Sequence, residues 1–184
     1  MRTFAVKILC GLAIAMALMV GAAPAYAAGC EVSVGAPWNP PRQRPLRAEA
    51  SSHGPNCEKA VVVLTVRGAD GSPIWVDARV GRFVFLFADV KNTKDMQAAL
   101  RAWIRQDHQL KSAGSLPSWP PGAEQPTSGE FPFLPDEGVD RDFYEAARAA
   151  KLPMFCYVQG MESMACAVLK DGGMTKIGVQ LFPG

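Results

Sequence analysis

The chemistry open to this chain starts with its two histidines, His53 and His108, either of which could serve as base to a serine nucleophile. His53 stands in Ser51-Ser52-His53-Gly54, within a proline-rich stretch, and His108 stands near the end of an amphipathic segment. An imidazolium at a helix C-terminus is favoured by the helix dipole alone, so His108 has a structural explanation. The chain has no G-x-S-x-G, no phosphate-binding loop, no dinucleotide fingerprint and no H-E-x-x-H. Neither histidine is therefore expected to be catalytic, and no cofactor is expected.

Carboxylates offer a second chemistry. Glu130, Asp136, Glu137, Asp140, Asp142 and Glu145 crowd into sixteen residues with Arg141 as the one cation among them. Hard cations need six to eight oxygens, but Asp136-Glu137-Gly138-Val139-Asp140-Arg141-Asp142 fits no EF-hand spacing. The simpler reading is a solvated loop that leads into a helix cap. A pair of these acids working on a glycan is the enzymatic alternative. Met154, Met161, Met164 and Met174 read as core filler and turn residues rather than a copper site. No metal site is expected.

Aromatic residues offer a binding surface instead. Trp119-Pro120-Pro121 and Phe131-Pro132-Phe133-Leu134-Pro135 punctuate a long loop over 112–138. Prolines limit the entropy lost when such a loop orders, and a loop of this length in a small domain calls for a reason. Trp119, Phe131, Phe133 and Leu134 are the candidate binding residues for a protein partner or a small ligand. The competing reading folds these rings down as a satellite core. Arg42, Arg44 and Arg47 could meet an anionic surface, although three charges on an extended arm are more simply solvated.

The elements that position these residues begin with an export segment. Arg2 and Lys7 precede the apolar run Ile8 to Val20, and Ala25-Tyr26-Ala27 makes an A-x-A site. Residues 1–27 are read as a signal peptide cleaved after Ala27, leaving a periplasmic or secreted chain. A lipobox at Ala27-Ala28-Gly29-Cys30 is the weaker alternative, because Ala27 stands where Leu is usual and Cys30 lies ten residues beyond the apolar run. No later stretch reaches about 18 apolar residues, so no membrane span is expected after signal removal. Cleavage takes away two cations and no acids, which leaves 17 of each sign. A neutral chain does not suit nucleic acid as a partner.

Cys30, Cys57, Cys156 and Cys166 remain after cleavage, an even number in an exported chain. Met154 to Gln159 and Met164 to Lys170 read as strands flanking Gly160-Met161-Glu162, which sets Cys156 opposite Cys166. The pairing Cys30–Cys57 follows. It would close a Pro-rich N-terminal arm (28–57) onto a single α+β domain (58–184).

Within that domain, Ala60 to Arg67, Ile74 to Val80 and Arg82 to Phe87 read as three strands. Asn92 or Thr93 caps a helix to about Leu110, with Met96, Leu100, Trp103 and Ile104 on one face. Asp140 caps a second helix to about Lys151. Strands at 154–159, 164–170 and 174–182 follow. The order βββ-α-α-βββ predicts a mostly antiparallel sheet of about six strands with both helices on one face. The expectation for function is an exported, disulfide-stabilised binding or protein-interaction module. A small periplasmic hydrolase of cell-wall or glycan material, using Asp/Glu acid–base residues, is the alternative.

Overall fold

The computed structural model describes residues 29–105, 112–127 and 129–182. The proposed signal peptide and His108 lie outside these residues. The fold is α+β, with eight strands rather than six, divided between two four-stranded antiparallel sheets. The first sheet is a meander of β1 (Val32–Trp38), β2 (Leu46–His53), β3 (Val61–Arg67) and β4 (Pro73–Val80). The second has the order β5-β8-β7-β6, built from β5 (Phe133–Pro135), β6 (Met154–Val158), β7 (Ser163–Lys170) and β8 (Gly173–Leu181). Helices α1 (Thr93–Ile104) and α2 (Arg141–Ala149) lie between β4 and β6 in the chain.

Two sequence expectations are corrected. The segment read as an extended arm supplies β1 and β2, half of the first sheet. Val32, Val34, Ala36 and Trp38 alternate with the exposed Ser33, Gly35 and Pro37, and β1 is an edge strand. An edge strand tolerates a proline that offers no N–H. The second correction is Arg82 to Phe87. It forms two successive 3-10 turns, Gly81–Phe83 and Phe85–Phe87, in place of a strand. Gly81, Val84 between the turns, and Phe87 are buried at intervals of three, as the 3.0-residue period requires.

The terminal hairpin matches its expectation. Cys156 pairs with Cys166 in the β6–β7 register and the two are disulfide-bonded. Asp171 and Gly172, both with positive φ, make the two-residue turn from β7 to β8. The second disulfide joins Cys30 to Cys57. Two disulfides in a domain this small belong to an oxidising, non-cytoplasmic compartment. None of the described helices is long and apolar enough to cross a membrane.

The helices do not share a face. Met96, Leu100, Trp103 and Ile104 of α1 enter a core with the inner face of the first sheet and with Phe155, Tyr157 and Leu169 of the second. The Trp103 indole N–H donates to Val158 O at 2.7 Å, which locks α1 to β6. Tyr144 and Ala147 of α2 enter a different core with Phe133, Met154, Cys156, Cys166, Val168 and Ile177. Alternate residues of β6 thus point to opposite faces of the second sheet, and each face has its own helix.

Candidate functional site

The four residues proposed for binding are divided by the structure. Phe133 is 3% exposed and packs against Tyr144 at 6.0 Å between ring centroids. Trp119 is half-buried, edge-on to Tyr144 at 5.5 Å, with its indole N–H donating to Ala123 O. Leu134 is half-buried in β5. Phe131 faces solvent, 48% exposed. Alternation alone would place the two phenylalanines on one face. The split arises because Phe131 lies before β5 and outside its pairing, while Phe133 is held in it opposite Gln180.

Three of the six acids, Asp136, Asp140 and Glu145, do structural work. Asp140 caps α2 by accepting from the Phe143 N–H at 2.7 Å, and Asp136 pairs with Lys176 at 2.7 Å. Glu145 accepts from the Trp119 N–H and from Arg148, both at 2.6 Å. Partial burial pushes the Glu145 carboxyl up, but these two donors outweigh it and hold it below its ordinary value. A general acid needs the opposite shift. Among the described residues no cluster of three or more His, Cys, Asp or Glu could hold a metal ion.

A surface that the sequence did not point to lies at the end of the molecule where Phe131 sits. Phe83 and Phe85 are each 59% exposed, and Met161 is 47% exposed. Three backbone bonds gather the segments that carry these residues. Phe85 N donates to Gly160 O at 3.1 Å, Phe182 N to Glu162 O at 3.1 Å, and Leu181 N to Pro132 O at 2.9 Å. The 3-10 turns are therefore tied to the β6–β7 turn, and that turn to the end of β8 and the entry of β5. Glu130, Pro132, Glu162, Ser163, Leu181 and Phe182 line an open depression of about 380 Å³ there. Polar residues border it. Arg82 stands 4.7 Å from the Phe83 ring centre, and Glu130 and Glu162 are exposed.

Four large apolar side chains held on short, bonded turns resemble the aromatic anchors and polar rim of protein interfaces. The signal in the sequence was the Phe83–Phe85–Phe87 alternation, which reads as one face of a strand. The 3-10 turns reverse that reading by burying Phe87 and turning Phe83 and Phe85 outward.

No protein-family model matches the chain, no curated protein is significantly similar to it, and no solved structure matches its fold.

Proposed function

We propose that the protein is an exported interaction module that docks a protein partner through the end bearing Phe83, Phe85, Phe131 and Met161. The observation that carries this reading is the exposure of two phenylalanines, at 59% each, on turns whose backbone is bonded in place. Exposed rings of this kind contribute binding energy because little order remains to be lost when the partner arrives. Two disulfides and the A-x-A segment at Ala25–Ala27 support export, with cleavage after Ala27.

Site-specific photo-crosslinking tests the reading. A benzophenone amino acid is placed at position 83 or 85 and, as a control, at the exposed position of Glu58. A discrete adduct of one mass from 83 and 85, and none from 58, is the expected result. Adducts of equal yield from all three positions, or none from 83 and 85, would overturn it.

A further inference from the structure

On the solvent face of the first sheet, remote in kind from the aromatic end, three side chains form a chain of hydrogen bonds. Alternation along β2 turns Arg47, Glu49, Ser51 and His53 outward. His53 Nδ1 lies 2.6 Å from Glu31 Oε2, and His53 Nε2 lies 2.9 Å from Ser51 Oγ. An ionised carboxylate only accepts, so Glu31 requires the proton on Nδ1. In the neutral imidazole, Nε2 then presents its lone pair to the Ser51 hydroxyl. This is the order of nucleophile, base and orienting acid that activates a serine.

Neighbouring backbone fixes the acid. Glu31 Oε1 accepts from the Gly54 N–H at 3.2 Å, and Cys30 N donates to Gly54 O at 2.8 Å. The Cys30–Cys57 disulfide anchors the residue next to Glu31. A Cβ at Gly54 would stand 2.7 Å from Ala60 Cα, so only glycine permits this approach.

Beside Ser51 is an open basin of about 320 Å³ lined mainly by polar side chains, among them Ser33, Arg47, Glu49, Thr65 and Arg67. Glu49 is held by Arg47 Nε at 2.9 Å and Arg67 Nε at 2.7 Å, so two cations face one anion. Among the described residues no hydrogen bond uses the terminal nitrogens of Arg47. They lie over Gly35, where a Cβ would come within 2.5 Å of Nη2. A guanidinium with its fork free is suited to a carboxylate.

We propose that Ser51, His53 and Glu31 form a nucleophilic site that cleaves carboxylic esters bearing an anionic group, which Arg47 anchors. Ser51 Oγ bonds to the ester carbonyl carbon as its proton passes to His53 Nε2. The carbon–oxygen bond to the alcohol breaks, and the leaving oxygen takes that proton. Water then attacks the acyl-serine, gives its proton to Nε2, and the acid departs as Ser51 recovers the proton. Ser51 is paired with Ser33 on one side and Val63 on the other, inside a continuous ladder. The ladder engages the backbone N–H groups around it, so no backbone oxyanion hole faces the basin. That restricts the site to esters with good leaving groups and excludes amides.

The oxidised protein is tested with mono-(4-nitrophenyl) succinate and, as the neutral counterpart, 4-nitrophenyl acetate, at matched thermal midpoints for all variants. The wild type should turn over both and prefer the succinate, and a fluorophosphonate probe should label Ser51. Ser51→Ala should fall to the buffer rate, and His53→Gln should lose about 10²- to 10⁴-fold in kcat. Glu31→Gln should lower kcat with KM unchanged, and Arg47→Gln should raise KM for the succinate alone. Turnover that survives Ser51→Ala, or no turnover and no label in the wild type, would sink the site. An unchanged succinate preference in Arg47→Gln would sink the substrate class. Phe83 and Phe85 variants should leave all of these rates as they are, which separates this site from the docking surface.

Discussion

Phe131 and Phe133 stand two residues apart in one Pro-rich segment, yet one ring is in water and the other in the core beside Tyr144. Composition treats them alike, because both are phenylalanines flanked by proline. The distinction comes from where β5 begins: Phe133 is held in the strand opposite Gln180, whereas Phe131 lies before it and outside its pairing. The two substitutions should therefore differ in kind. Phe133→Ala should cost about 3–5 kcal/mol through lost burial and the cavity left against Tyr144. Phe131→Ala should stay within about 0.5 kcal/mol, as an exposed residue does. Urea denaturation of both variants checks this, and equal losses would contradict the division. At the same scale, no sequence motif marks Ser51 and His53. Their relay needs Glu31, twenty-two residues from His53, and no local motif carries that relation.

Elements were legible wherever one interaction dominated. The Asn92 cap, the apolar face of α1 and the register that opposes Cys156 to Cys166 all follow from local spacing, and the structure has each of them. Legibility failed where tertiary context decided. Prolines at 37, 40, 41 and 45 argued for an arm, but three of them occupy the β1–β2 connection and Pro37 sits on an edge strand. The Val32, Val34, Ala36, Trp38 alternation was the better signal, and the Cys30–Cys57 bridge reinforces it. That bridge closes a 27-residue separation, worth about 3–4 kcal/mol if its effect is loop entropy. Cys30→Ser/Cys57→Ser should lower unfolding free energy by about that amount while leaving Cys156–Cys166 intact. Amide exchange should locate the loss in β1 and β2. Protection lost uniformly across both sheets would show that the bridge does not act on this element.

At the scale of the whole molecule, the second sheet is a partition with a core on each face, and each core contains a buried tyrosine. Tyr157 belongs to the first core, where its hydroxyl accepts from the Trp75 indole N–H at 3.2 Å, and Tyr144 belongs to the second, donating to Pro117 O at 2.9 Å. Burial pushes both phenols above their ordinary value of 10.0, and Asp77 beside Tyr157 adds to the effect there. The unfolded chain then releases these protons first. Stability from the two neutral phenols is complete below about pH 10 and is lost as pH rises through the higher folded values. Carboxylates set the opposite limb. Glu49, held below its ordinary 4.5 chiefly by the Arg67 hydrogen bond, and Glu145 contribute stability above that value, and it is lost as pH falls through their lower folded values. A plateau between about pH 5 and 10 should therefore separate two declines. Above pH 10 the two phenols together should steepen the fall in unfolding free energy by about 1.4 kcal/mol per pH unit each. Tyr144→Phe should remove one phenol's share, leave the acid limb unchanged and keep Trp75 bonded to Tyr157. Equilibrium unfolding at fixed pH steps checks it, and an alkaline slope unaltered by Tyr144→Phe would mean that the second core does not hold its phenol protonated.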